Sequence, residues 1–359
     1  MAFNPAALER ISIRATNWLG DAVMSLPAIR AIRQVCPRAE IALVARPWLA
    51  ELYARESSID RVIPCPPPKS LGERRAFAAS LRAEHFDAAF LLPNSFDAAL
   101  TAWLACIPER IGYARDGRGW LLTRAVRRPE AGDIPRHERF YYLELLRRAG
   151  LIEHFPESSA IRLEGIPAAR EAGGARLREL GMDGPAIGVS PGAAYGDAKR
   201  WLPERFAEAA GVTAAALGAA VLVFGSAAER ELCEVVAAGV RGRGADARNL
   251  AGATTLREFI DLAAACRLYL TNDSGAMHVA SALGVPTVAI FGATDDATTG
   301  PTGPLARVVR EHAECSPCLL RNCPIDHRCM TRVTPERVTA VSLELINTTA
   351  ETWTPEAKS

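Results

Sequence analysis

A chain of 359 residues, 49% of them apolar, carries enough core-forming side chains for two domains. Its formal charge of +1 excludes a strongly polybasic nucleic-acid binder, and no stretch approaches the ~20 continuous apolar residues of a membrane span. The charge is uneven: residues 1–150 hold 22 Lys/Arg against 16 Asp/Glu, the remainder 20 against 25. The basic front half fits an anionic partner, such as phosphates or an acidic membrane surface, or a plain solvated surface.

The opening residues lack the basic, apolar and small-residue succession of a secretory signal, so the expectation is a cytoplasmic protein. Ile11–Ala15 reads as a first strand, followed by a turn and a helix to about Val35. The turn, "TNWLGDAV", lacks the glycines of a dinucleotide fingerprint and puts Asp21 where a phosphate would lie. Asp21 is then either a helix N-cap or a carboxylate shown to a ligand. Pro27 suggests that the regular helix begins nearer Ser25.

Strands follow at Ile41–Ala45, "RVIPC" and Ala88–Pro93, with helices near Gly72–Glu84, from about Ser95, and within Pro135–Gly150. Residues 153–185 are rich in Pro, Gly and Ser and read as a connection carrying a short helix. A second alternating array has strands at Ala186–Ser190, Ala219–Gly225, "RNLAG", Arg267–Asp273 and Thr287–Gly292. Thr334 as N-cap, Pro335 and Glu336 mark a last helix to Ala350. The expected class is α/β, with two Rossmann-like doubly wound parallel sheets. The expected divisions are residues 1–165, a connection 166–185, 186–333, and a helix 334–352 that packs back on the first domain.

Three loops of the second array carry chemistry. "SPGAAYGDAKRW" offers Ser190, Gly192 and exposed N–H groups for phosphate oxygens, with Lys199 in the same loop. The chain has only Lys69, Lys199 and Lys358 as lysines, so Lys199 reads as a chosen point charge or as a solvated loop cation. "TNDSGAMHVASALGVP" places Asp273, Ser274 and Gly275 at a strand-to-helix junction, the first two as alternative N-caps. His278 follows, either near an anion or core-facing. "FGSAAERE" offers Ser226 and, for ribose hydroxyls, Glu229 with Glu231 as alternative. Together these loops predict one nucleotide-diphosphate pocket, although none is a Walker loop.

Cys315, Cys318, Cys323 and Cys329 have spacing C-x2-C-x4-C-x5-C, with His312 and His327 nearby. They read as a structural metal site, a redox-sensitive clasp, or a local cluster of reduced thiols.

The segments "NWLGDAVMSLPAIRAIR", "LLPNSFDAAL", "PGAAYGDAKRWLPERF" and "TNDSGAMHVASALGVPTVAIFG" resemble the signatures of the ADP-heptose:lipopolysaccharide heptosyltransferases of glycosyltransferase family 9, their type II members in particular. The resemblance runs from about residue 11 to 345. It implies a GT-B fold, with the acceptor on the first domain and ADP-heptose on the second, around a central cleft. It also implies inverting transfer without a catalytic metal, Asp21 as the base, and Lys199 and Asp273–His278 at the diphosphate. The implied acceptor is the lipid-linked inner core, which brings peripheral contact with the inner membrane but neither nucleic acid nor an obligate protein partner. On the acceptor side, Asn94 and Ser95 follow a strand's carboxyl end, and Arg115, Arg118, His137 and Arg139 meet acceptor anions or are ordinary surface. The competing expectations are heptosyltransferases I or III, a sugar-nucleotide epimerase of similar architecture, and a binding protein without turnover.

Overall fold

The computed structural model describes residues 4–157 and 160–349, and the chain divides into two compact units, residues 1–158 and 159–359. The first unit runs β1 (Arg10–Arg14), α1 (Leu19–Val35), β2 (Glu40–Ala45), α2 (Ala50–Tyr53), β3 (Arg61–Pro64), α3 (Leu71–Ala83) and β4 (Ala88–Leu91). It continues with α4 (Phe96–Leu104), β5 (Glu109–Tyr113), β6 (Arg124–Val126) and α5 (Arg139–Arg148). Its strands are parallel, in the order β3-β2-β1-β4-β5-β6.

The second unit runs α6 (Ile166–Glu179), β7 (Ala186–Ser190), α7 (Pro203–Leu217), β8 (Ala220–Val223), α8 (Arg230–Arg241), β9 (Ala247–Asn249) and α9 (Leu256–Ala265). Then come β10 (Leu268–Asn272), α10 (Gly275–Ala282), β11 (Thr287–Ile290), α11 (Asp296–Thr299), β12 (Ala306–Val309), α12 (Arg328–Thr331) and α13 (Pro335–Thr349). The order β12-β11-β10-β7-β8-β9, again parallel, is the same winding: each sheet starts in its middle, grows to one side, then crosses to the other. The expected doubly wound class is present in both units.

The central strands are near-continuous apolar runs because helices cover both of their faces. In the second unit Val189, Val221, Val223, Leu268, Leu270, Val288 and Ile290 pack with Trp201 and Phe206 into one core. In the first unit the small Ala99 and Ala102 of α4 and Leu81 of α3 pack against Ala89 and Leu91 of β4.

Three strands had no counterpart in the sequence reading. "ERIGY", "RAV" and "ARVV" (β5, β6 and β12) lie toward one side of each sheet and are only partly buried, so they lack the apolar run. Residues 166–185 are more than a connection, since α6 lies along α9. The approach is so close that a Cβ on Gly173 would fall 1.9 Å from the Asp261 carbonyl oxygen. The last helix is capped as expected, with Thr334 Oγ1 accepting from the Arg337 N–H at 3.3 Å. It packs on α7, β11 and β12 of its own unit. Its expected end at Ala350 and the tail to residue 352 lie outside the described residues. Among the described residues, no helix is long and apolar enough to cross a membrane.

Candidate active site

In the second sheet the winding reverses between β7 and β10, and ligands of such sheets bind at the carboxyl ends of the strands beside that point. The loops after β7 and β10 are joined there by two independent links. Asn272, the last residue of β10, donates from Nδ2 to the Pro191 carbonyl (2.7 Å) and accepts the Trp201 N–H at Oδ1 (2.9 Å). Lys199 Nζ meets Asp273 Oδ2 at 2.6 Å, with their side chains only 13% and 4% exposed. The same oxygen accepts from Thr294 Oγ1 at 2.6 Å, and Thr299 Oγ1 stands 3.5 Å away. Lys199 therefore neutralises a buried carboxylate, while an ammonium has three donors and Asp273 takes one of them.

Ser274 occupies the N-cap position of α10 without a side-chain cap bond, its hydroxyl lying 3.1 Å from Thr271 Oγ1. The first N–H groups of α10, from Gly275 onward, thus have no side-chain cap, and the helix dipole favours an anion in front of them. His278 is buried on the same helix.

The loop after β8 closes on the other side. Glu229 Oε2 accepts from the Ser226 N–H (2.9 Å) and hydroxyl (2.8 Å), forming a capping box. A Cβ on Gly192 would fall 2.0 Å from Glu229 Oε1, so glycine is what lets the β7 loop lie this close to the carboxylate. Glu231, its alternative, is exposed on α8. Ser190 does not serve the loop with its side chain: its hydroxyl is 2.7 Å from the hydroxyl of buried Tyr269.

The first unit is organised differently at the same edge. Helix α1 begins at Leu19 with Pro27 inside it, so the expectation of a start near Ser25 is corrected. Trp18 holds the N-cap position, which makes Asp21 the third helical residue, not the cap. An acid in the first turn is stabilised by the dipole. The preceding loop is braced by Asn17, whose Oδ1 accepts from Arg14 Nη2 (2.8 Å) and Arg46 Nε (3.1 Å). Opposite α1 stands α5, and Glu138 just before its start is half-buried. Desolvation first, and then the charge of Asp21, push its carboxyl up to about 7. Two carboxyl groups thus share one field.

After β4, Asn94 Nδ2 donates to the Tyr141 hydroxyl at 2.8 Å, and Asn94 Oδ1 is buried with no protein donor among the described residues. Ser95 is committed to capping α4, accepting from the Ala98 N–H at 3.3 Å. Arg118 is not a surface cation: it is fully buried and donates to the carbonyls of Tyr113 (2.9 Å), Pro93 (2.5 Å) and Ser95 (3.1 Å). Burial brings its guanidinium down to about 10. Arg115 is exposed and faces Asp116 at 3.3 Å. His137 is half-buried, its Nδ1 accepting the Arg139 N–H at 3.2 Å.

The cysteine segment does not form the metal site that the spacing suggested. Among the described residues no three His, Cys, Asp or Glu side chains are grouped to hold an ion. Cys315 is exposed, Cys318 and Cys323 are half-buried, Cys329 is buried, and all four are free thiols. The segment itself lies across the β7 loop. Tyr195 donates its hydroxyl to the Leu319 carbonyl (2.9 Å) and Ala198 its N–H to the Arg321 carbonyl (3.0 Å), while His327 Nε2 lies 3.2 Å from the Ala198 carbonyl.

Two residues that the sequence reading passed over belong with these groups. Arg200, beside Lys199, has a buried Nε with no partner among the described residues and an Nη2 3.3 Å from the Ala193 carbonyl. Its adjacency in "DAKRW" was the available signal. Glu138 gave none, because only packing shows that its carboxyl is desolvated.

Comparison with known proteins bears on the family and the fold. The family description "Glycosyltransferase family 9 (heptosyltransferase)" matches residues 74–328. Lipopolysaccharide heptosyltransferase 2 of Escherichia coli K12 is 35% identical over 309 residues, covering 84% of this chain and 88% of the relative. The protein of the same name from Salmonella typhimurium LT2 is 35% identical over 308 residues with the same coverage. The solved structure of E. coli ADP-heptose LPS heptosyltransferase II superposes with a TM-score of 0.81 at 31% identity, covering 95% of this chain and 99% of that one. The chain belongs to glycosyltransferase family 9, the heptosyltransferases.

Proposed function

We propose that this chain transfers heptose from ADP-L-glycero-D-manno-heptose to the heptosyl-Kdo-lipid A inner core of lipopolysaccharide, with inversion at the anomeric carbon. The observation that carries the reading is the Lys199–Asp273 pair at the reversal point of the second sheet, beside the uncapped start of α10, in a family 9 chain. The donor diphosphate sits against the N–H groups of α10 and the remaining donors of Lys199, with Arg200 beside them. Glu229, Ser226 and Gly192 border the nucleoside. As the C–O bond to ADP breaks, the charge gathering on the leaving phosphate is met by these fixed donors, and the reading calls for no resident metal.

In the first unit Asp21 takes the proton from the acceptor hydroxyl as its oxygen forms the new bond to the anomeric carbon. Asn94, after β4, and Arg115 and His137 border the acceptor. Working on a lipid-linked acceptor, the enzyme acts at the cytoplasmic face of the inner membrane.

The test is ADP release from ADP-heptose with and without a heptosyl-Kdo-lipid A acceptor. Acceptor-dependent release is expected. Turnover of donor alone into an isomer would instead identify an epimerase, and binding without turnover a regulatory protein. Release only with an acceptor that lacks the first heptose would point to the type I reaction.

A further inference from the structure

Helix α4 carries its aromatic side chains on the outside. Ala98, Ala99 and Ala102 are buried and Leu100 and Leu104 pack against the core, while Phe96 and Trp103, at i and i+7, lie on one exposed face. Phe96 is 41% exposed, Trp103 43%, and Trp120, from the turn after β5, 66%. The rings form one patch: the Trp120 centroid lies 6.4 Å from Phe96 and 6.1 Å from Trp103. Exposed Leu71 opens the neighbouring helix α3, and one turn later Arg74 pairs with Asp97 of α4. Contiguous exposed apolar surface of this kind marks a docking site more often than chance placement.

Its chemistry singles out the occupant. Tryptophan, with an apolar body and one N–H, settles at the boundary between acyl chains and headgroups. Residues 61–128, which contain the patch, hold 11 Lys/Arg against 6 Asp/Glu. Of these, Lys69, Arg75 and Arg115 are exposed close in sequence to Leu71, Arg74 and Trp120. That sign suits an anionic bilayer and opposes a second copy of the same patch.

We infer that the Phe96–Trp103–Trp120 patch docks the first unit onto an anionic lipid surface. The inference rests on the reading of a lipid-anchored acceptor and gives it a place on the molecule. Helix α4 starts where β4 ends, and β4 is the neighbour of β1, so the patch begins at the same sheet edge as Asp21 and Asn94.

The test is co-sedimentation of the full chain with vesicles of phosphatidylcholine containing about one third phosphatidylglycerol, against phosphatidylcholine alone. The wild type should bind the anionic vesicles, and added salt should weaken that binding. The Trp103→Ser/Trp120→Ser variant should lose at least ~10-fold in partitioning. Its melting temperature and its turnover of a deacylated, water-soluble acceptor should stay unchanged. Trp103→Phe/Trp120→Phe should retain most of the binding. Equal binding by the wild type and the serine variant, or no binding by the wild type, overturns the inference. So does a concentration-dependent dimer that the serine variant dissolves, since that assigns the patch to a second copy. Absence of transfer to the soluble acceptor in the wild type would count against the heptosyltransferase reading alone, and the vesicle result would stand by itself.

Discussion

The two units wind their strands identically and equip the same edge in opposite ways. In the second, the loops after β7 and β10 are locked together by Asn272 and by the Lys199–Asp273 pair, and the loop after β8 by Glu229. In the first, the corresponding edge bears Asp21 in the first turn of α1, facing the α5 side of the unit, and an aromatic patch beyond it. One winding thus carries a buried Lys–Asp pair beside an uncapped helix start in one unit and a first-turn carboxylate in the other. The difference lies in a few side chains placed after strands, not in the sheets.

The sharpest way to break this contrast is at Asp21. Asp21→Asn should lower kcat by ~10³-fold while ADP-heptose binding, measured by calorimetry, stays within a few-fold. Near-normal turnover would remove the base from the first unit.

Next in size is Lys199→Ala, which strips the second edge of its compact cation and leaves Asp273 buried without it. A roughly 10- to 100-fold weaker donor affinity is expected, with a lower melting temperature. If both affinity and rate match the wild type, Lys199 is a structural partner of Asp273 and no more.

Glu138→Gln tests whether the two carboxyls act together. The Glu138 carboxyl ordinarily titrates at 4.5 and is pushed to about 7 in the folded chain. Between these values the unfolded chain has released the proton and the folded chain has not, so stability falls as pH rises through that window and is level above it. The variant should lack this slope and be more stable than the wild type at pH 8, by roughly 1–3 kcal/mol in urea melts. The pH–rate profile should lose an inflection near 7. Identical slopes in both proteins would show that the Glu138 carboxyl is not raised in the folded chain.

The smallest effect is expected at the cysteines. Cys315→Ser/Cys318→Ser should change turnover by less than about two-fold, because one thiol is exposed and the other half-buried, and substitutions at such positions usually cost little. A large loss of activity, with metal released from the wild type, would restore the metal reading.

Much of this architecture could be read from the sequence, because strands buried on both faces announce themselves as apolar runs. Ile41–Ala45, Ala186–Ser190 and Thr287–Ile290 are examples. What escaped depends on tertiary context. β5, β6 and β12 are half-wet, and α6, with Pro167 and two central glycines, looks like a linker until α9 is laid against it. Within the site, Lys199 stood out through its rarity, but its partner Asp273 is 74 residues away and meets it only because β7 and β10 are neighbours. Arg118 illustrates the reverse case. In sequence it is one arginine among many, and only its burial shows it pinning the Pro93 and Ser95 carbonyls.

Asn272 has a consequence for the loop after β7. By gripping both the Pro191 carbonyl and the Trp201 N–H, it fastens the two ends of that loop to the tip of β10. A ligand bound there, as the proposed donor would be, then loses little affinity to ordering the backbone at those ends. The Trp201 amide should exchange slowly even before ligand is added.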